Sequence, residues 1–90
     1  MPPEFDWDDA NTAHIARHNL TPIPVEEALD DPLGLVGQAR VVDGERRWVT
    51  LGSTRTGLVL RVVFTYRSGR VRVVTAYRAT PAQRRLYLTR

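Results

Sequence analysis

Apolar and polar positions alternate most clearly in the second half of the chain. Between Leu58 and Arg67, the residues Leu58, Leu60, Val62, Phe64 and Tyr66 share one parity, and Arg61, Val63, Thr65 and Arg67 share the other. A second alternating run goes from Arg70 to Arg78, and only Ser68-Gly69 separates the two. Two β-branched and aromatic runs joined by a two-residue glycine turn predict a β-hairpin. The turn sets the register: Arg67 opposite Arg70, Thr65 opposite Arg72, Val63 opposite Val74 and Arg61 opposite Ala76. Successive side chains point to opposite faces. One face is therefore expected to hold the apolar set with Val71, Val73, Thr75 and Tyr77. The other is expected to gather Arg61, Arg67, Arg70, Arg72 and Arg78 around Val63, Thr65, Val74 and Ala76. Like charges directly opposite one another are unfavourable, so the arginine face reads as a surface for something anionic.

The remaining elements follow from punctuation. Phe5 and Trp7 are expected to pack as an N-terminal edge. Asp8 or Asp9 caps a helix running to about His18, with Ala10, Ala13 and Ile15 inward, and Asn19 suits its left-handed end. Thr21-Pro22-Ile23-Pro24 is a rigid connector. A second short helix begins at Thr21 or Pro24, runs through Val25, Ala28 and Leu29, and is stopped by Asp30-Asp31-Pro32. Residues Leu33 to Val42 predict a first, weaker strand, Asp43-Gly44 a turn, and Arg46 to Ser53 a second strand, before Thr54-Arg55-Thr56-Gly57 turns into the hairpin. After Arg78, Thr80 caps a last helix with Pro81 at its first position and Gln83 at the capping-box position, and Leu86 is its expected core contact. The order is α-α-β-β-β-β-α. It predicts an α+β fold with an antiparallel four-stranded meander sheet, two N-terminal helices and one C-terminal helix, in a single domain over residues 1–90.

Composition narrows the class. An apolar fraction of 42% supports one small core, and no apolar run approaches the ~20 residues of a membrane span. The stretch MPPEFDWDD is acidic and lacks the apolar core of a signal peptide. With no cysteine, disulfide and thiolate chemistry are excluded, and the cytoplasm is the simplest location. Two histidines without a spaced set of further ligands predict no metal and no cofactor. Charge changes the picture more. All ten acidic residues lie at or before Glu45, and all eleven arginines from Arg46 onward stand without an acid among them. That asymmetry points to nucleic acid or an acidic protein as partner of the basic half. Every basic residue is arginine, which forks phosphate and stacks on bases.

The ordered set of local patterns resembles one family over nearly the whole chain. The set is Phe5-x-Trp7-Asp8, a helix ending in Arg17-His18, Val25-Glu26-Glu27-Ala28 followed by Asp31-Pro32, and Glu45-Arg46-Arg47-Trp48 with Gly52. Then come Val62-Val63-Phe64-Thr65, Arg70-Val71-Arg72-Val73-Val74-Thr75-Ala76, Arg78-Ala79-Thr80 and Tyr87. These resemble BrnT, the toxin of a bacterial type II toxin–antitoxin pair with a RelE-like ribonuclease fold. Three positions depart from the family pattern. Asn19 replaces a helix-ending glycine, Tyr77 replaces an arginine (the next arginine is Arg78), and Gln83 replaces a glutamate.

The resemblance implies metal-independent cleavage of messenger RNA to arrest growth. The ribose 2′-OH attacks the adjacent phosphate, leaving a 2′,3′-cyclic phosphate and a 5′-OH end. That reaction needs a base, cations for the phosphate and an acid for the leaving oxygen. Under this reading Arg72, Arg78, Tyr77, Arg46 and Glu45 are the catalytic candidates. Arg61, Arg67, Arg70, Trp48 and Arg84 are the RNA-binding ones, with Trp48 stacking on a base. A small antitoxin protein is the implied partner, RNA the implied substrate, and self-association is compatible with the exposed basic face. The changes at positions 77 and 83 keep a second reading open, a non-catalytic RNA- or protein-binding module of the same fold. A third is a structural homodimer.

Overall fold

A computed structural model describes residues 4–90, with the backbone alone at Gln38. Helices α1 (Asp9–Ala16) and α2 (Pro22–Asp30) precede strands β1 (Leu35–Val42), β2 (Glu45–Ser53), β3 (Val59–Arg67) and β4 (Arg70–Arg78), and α3 (Pro81–Leu88) closes the chain. The strands form one antiparallel sheet in the order β1-β2-β3-β4. Both tight turns hold positive φ at their two central residues, 51° and 78° at Asp43-Gly44 and 53° and 76° at Ser68-Gly69. Such turns match the twist of the strands they join. Asn19, at φ 59°, ends the α1 segment in the left-handed conformation its sequence allows.

Near its turn the β3–β4 hairpin keeps the expected register, with Arg67 opposite Arg70 and Thr65 opposite Arg72. Beyond that it differs. The register shifts between Val63 and Phe64, so that Phe64 faces Val73 while Val63 faces Thr75, and Val74 is the extra residue of a β-bulge. A bulge of one residue inverts parity for everything after it. Ala76, not Tyr77, enters the core, fully buried opposite Val62. Thr75 and Tyr77 join the face of Val63 and Arg61. Arg78 leaves that face and stands exposed opposite Leu60 at the strand end.

The main core lies between α1, α2 and one sheet face. Ile15, Leu20, Val25 and Ala28 pack on Leu60, Val62, Val73 and Ala76, with Trp7, Leu29 and Leu58 at the margin. Each such burial contributes about 1.5–3 kcal/mol for a side chain of valine size or larger. Gly52 of β2 lets α2 approach closely, since a Cβ there would stand 2.0 Å from the Ala28 carbonyl oxygen. On α1 the inward residues are Asn11 and Ile15, while Ala10 and Ala13 are exposed. Asn11 is buried because it has work at the sheet edge: its amide donates to the backbone oxygens of Asp6 (2.9 Å) and Val73 (3.1 Å). Its side-chain oxygen also closes a capping box with Asp8. Ahead of the helix, Phe5 forms an isolated parallel bridge with Val71, so residues 4–6 extend the edge of β4.

Helix α3 sits on the opposite face, over one end of the sheet. Its core contact is Tyr87, buried with Leu51 and Val59, whereas Leu86 is 58% exposed. The reason is a polar anchor. The Tyr87 hydroxyl donates to Asp31, which also accepts from the backbone N–H of Ser53 (2.8 Å) and of Leu33 (2.9 Å). Arg90 lies over the Tyr87 ring, 3.9 Å from its centroid, and donates to the Leu33 carbonyl.

Candidate functional site

The sheet face turned away from α1 and α2 holds a cleft of about 490 Å³, lined by Arg40, Arg47, Arg61, Val63, Thr75 and Tyr77 among others. Cross-strand pairing explains the collection. Arg61 of β3 faces Tyr77 of β4, Val63 faces Val49, and Arg40 of β1 faces Arg47 of β2. At the centre the Arg61 guanidinium donates from Nη1 to the Tyr77 hydroxyl oxygen at 2.7 Å, with its carbon 5.5 Å from the ring centroid. Because the phenol oxygen accepts in this bond, its own proton stays free for a third atom. His14 of α1 and His18 in the turn after it add imidazoles: the His18 ring lies 5.8 Å from that of Tyr77, and the His14 ring 6.3 Å from that of His18.

The arginines differ in how far their charge is already answered. Glu45 bridges Arg47 and Arg67, each at 3.3 Å. Arg70 pairs with Glu4 at 3.1 Å. Arg72 meets Asp8 at 3.0 Å and Asp6 at 3.5 Å, and its side chain is only 13% exposed. The hydrogen bond from Arg72, assisted by the Asn11 backbone N–H, holds the Asp8 carboxyl below its ordinary value. The same bond to Asp8 pushes Arg72 up, against its burial. Arg72 thus fastens the acidic N-terminal segment to β4. Arg40 and Arg61 have no carboxylate partner among the described residues.

The other expected site residues lie elsewhere. Arg46 and Trp48 share a parity that points to the helix-side face, away from the cleft. Trp48 packs there against Phe64 (centroids 6.2 Å apart) and edge-on to Tyr66 (5.3 Å). Arg84 is exposed on α3, beside a separate hollow with Arg85 and Leu88. Gln83 is held by the helix cap, its side chain accepting from the Thr80 N–H at 3.0 Å. The cleft therefore unites Arg61 and Tyr77 of the expected set, with Glu45 steadying its Arg47 side. It adds Arg40 and Arg47, which the sequence does not single out for the site, and His18 stands beside it against Tyr77. The signal for Arg47 was its parity: it is two residues from Val49, which faces Val63.

A domain with this fold, carrying a basic cleft around a phenol, defines a class, and comparison with known proteins gives the family. The model of the family described as the ribonuclease toxin BrnT of type II toxin–antitoxin systems matches residues 7–83, and the chain belongs to that family. Membership in a type II system implies an antitoxin as partner. No match was found among curated proteins. Among the described residues, no helix is long and apolar enough to cross a membrane.

Proposed function

We propose that this chain is the toxin of its pair, a RelE-like, metal-independent endoribonuclease of the cytoplasm that cleaves messenger RNA in the cleft around Arg61 and Tyr77. The observation that carries the reading is the 2.7 Å hydrogen bond from Arg61 to the Tyr77 hydroxyl oxygen inside a cleft of guanidinium groups. Arg61, Arg40 and Arg47 supply the positive charge that a pentacovalent phosphate needs. A donor set of guanidinium and phenol suits that anion and repels a divalent cation. Tyr77 gives its free proton to the leaving 5′ oxygen, and Arg61 stabilises the phenolate that results. His18, beside Tyr77, is an adjoining group able to take the proton of the 2′-OH. Tyr77 at this position thus restores, with Arg61, the pairing of cation and proton donor that the reaction requires. Arg72, Arg67 and Arg70 hold the scaffold through their carboxylates and contribute field rather than direct contact.

The test is cleavage of messenger RNA in a bacterial translation extract, which contains ribosomes. Tyr77→Phe removes one oxygen and is expected to slow cleavage by about a hundredfold with unchanged folding, in line with the usual worth of a positioned acid. Cleavage at the wild-type rate in Tyr77→Phe removes the phenol from the mechanism.

A further inference from the structure

Among the described residues, one edge of the sheet is covered and the other is not. Residues 4–6 and the Asn11 side chain occupy the backbone groups of β4. At the far edge, no described residue pairs with the outer side of β1. A bare edge is a template for another strand. The register shift between Gln38 and Arg40 makes Ala39 an extra residue on β1. Val36 and Val41 therefore both point to the helix-side face, where they are 66% and 55% exposed. Leu35, Gly37, Arg40 and Val42 point to the cleft side. With Ala39 set aside, the strand carries an apolar pair at each end at equal distance from Gln38, and Gly37 on one side takes the place that Arg40 holds on the other.

We propose that β1 pairs antiparallel with β1 of a second copy, about a two-fold axis through Gln38, joining the two sheets into one. In that register Val36 meets Val41 of the second copy and Leu35 meets Val42 of the second copy, each contact occurring twice. Gly37 falls opposite Arg40 of the second copy. A Cβ at Gly37 would meet nothing within 4 Å, so the long side chain has room. The flanking charges are also self-complementary. Asp30 lines a hollow with Val36, and Arg46 stands exposed opposite Val41 with no carboxylate partner among the described residues. The axis brings Asp30 toward Arg46 of the second copy, and the reverse. An unrelated strand would need neither symmetry. The axis stands normal to the sheet, so both clefts share one face. The two Arg40 side chains, each lining its own cleft, then stand on either side of the seam.

Sedimentation equilibrium of the purified chain tests this. The wild type is expected to form a dimer. Asp30→Arg alone or Arg46→Asp alone is expected to weaken it about tenfold, since each change places like charges at two symmetric sites. The double variant is expected to return to within about twofold of wild type, because the pair is rebuilt with its signs exchanged. Circular dichroism checks that each variant is folded, and Val41→Lys, at an exposed position, serves if either is not. A wild type that stays monomeric, or a dimer indifferent to the single changes, overturns the proposal. So does protection of β1 amides from hydrogen exchange only when the antitoxin is added, which would give this edge to the antitoxin.

Discussion

At the scale of single residues, Tyr87 and Asp31 show how one polar contact places an element. Burial pushes the Asp31 carboxyl up, but the bonds from Tyr87, Ser53 and Leu33, with the charge of Arg90, outweigh it and hold the group below the ordinary carboxylate value. The bond to Asp31 pushes the Tyr87 hydroxyl above its ordinary value. Tyr87→Phe leaves Asp31 with one donor fewer and is expected to cost about 1–2 kcal/mol in urea unfolding. Asp8 and Asp31 both have folded-state values below their ordinary 3.8, so the unfolded chain binds more protons in acid. Their contribution is fully present above that value and is lost as the pH falls through the depressed ones. Urea midpoints taken downward from about pH 6 should fall steeply only below about pH 4, and less so in Asp31→Asn. Leu86 was the residue the sequence favoured for this core because hydrophobicity is visible in a sequence. An acceptor waiting at Asp31, 56 positions from Tyr87, is not.

At the scale of elements, the helix starts and tight turns that local chemistry dictates were legible, whereas α1 stops at Ala16, short of the expected His18. Asp8 and Thr80 cap as their side chains predict, and the two glycine turns fix the pairing beside them. The bulge at Val74 was not legible. It sits in a Val73-Val74 pair with no glycine or proline to mark it, and either valine fits either face. That one residue decides that Tyr77 meets Arg61 and that Ala76 meets the helices. The buried side of α1 was also hidden, since a polar Asn11 was chosen over Ala10 and Ala13 by the unpaired carbonyl of an edge strand. Close packing of α2 on β2 depends on Gly52 having no side chain. Gly52→Ala is expected to destabilise the domain by about 1–3 kcal/mol, because the obstacle is backbone and cannot rotate away. Thermal unfolding followed by circular dichroism measures this.

At the scale of the whole molecule, charge segregated along the chain is recombined in the fold. The acidic N-terminal segment returns to β4 and answers Arg70 and Arg72, and Glu45 answers Arg47 and Arg67. The sequence identified the basic half but not which of its arginines were already paired, because pairing depends on tertiary contacts. Affinity for single-stranded RNA should fall linearly on a log–log plot against salt, with a slope of about 0.7 for each phosphate neutralised. Arg40→Ala and Arg61→Ala should each lower that slope by about 0.7, while Arg72→Ala should leave it nearly unchanged. Filter binding across a salt series distinguishes them.

The claim that the cleft around Arg61 and Tyr77 is the site of RNA cleavage meets its most direct test in living bacteria. The chain is expressed by induction as wild type, Arg61→Ala and Arg78→Ala, with soluble protein confirmed for each, and growth is followed while RNA 5′-OH ends are mapped. Arrest and new 5′-OH ends are expected with wild type and with Arg78→Ala, whose residue the bulge turns off the cleft face, and loss of both with Arg61→Ala. New ends that persist undiminished in Arg61→Ala, or that vanish only in Arg78→Ala, would contradict it.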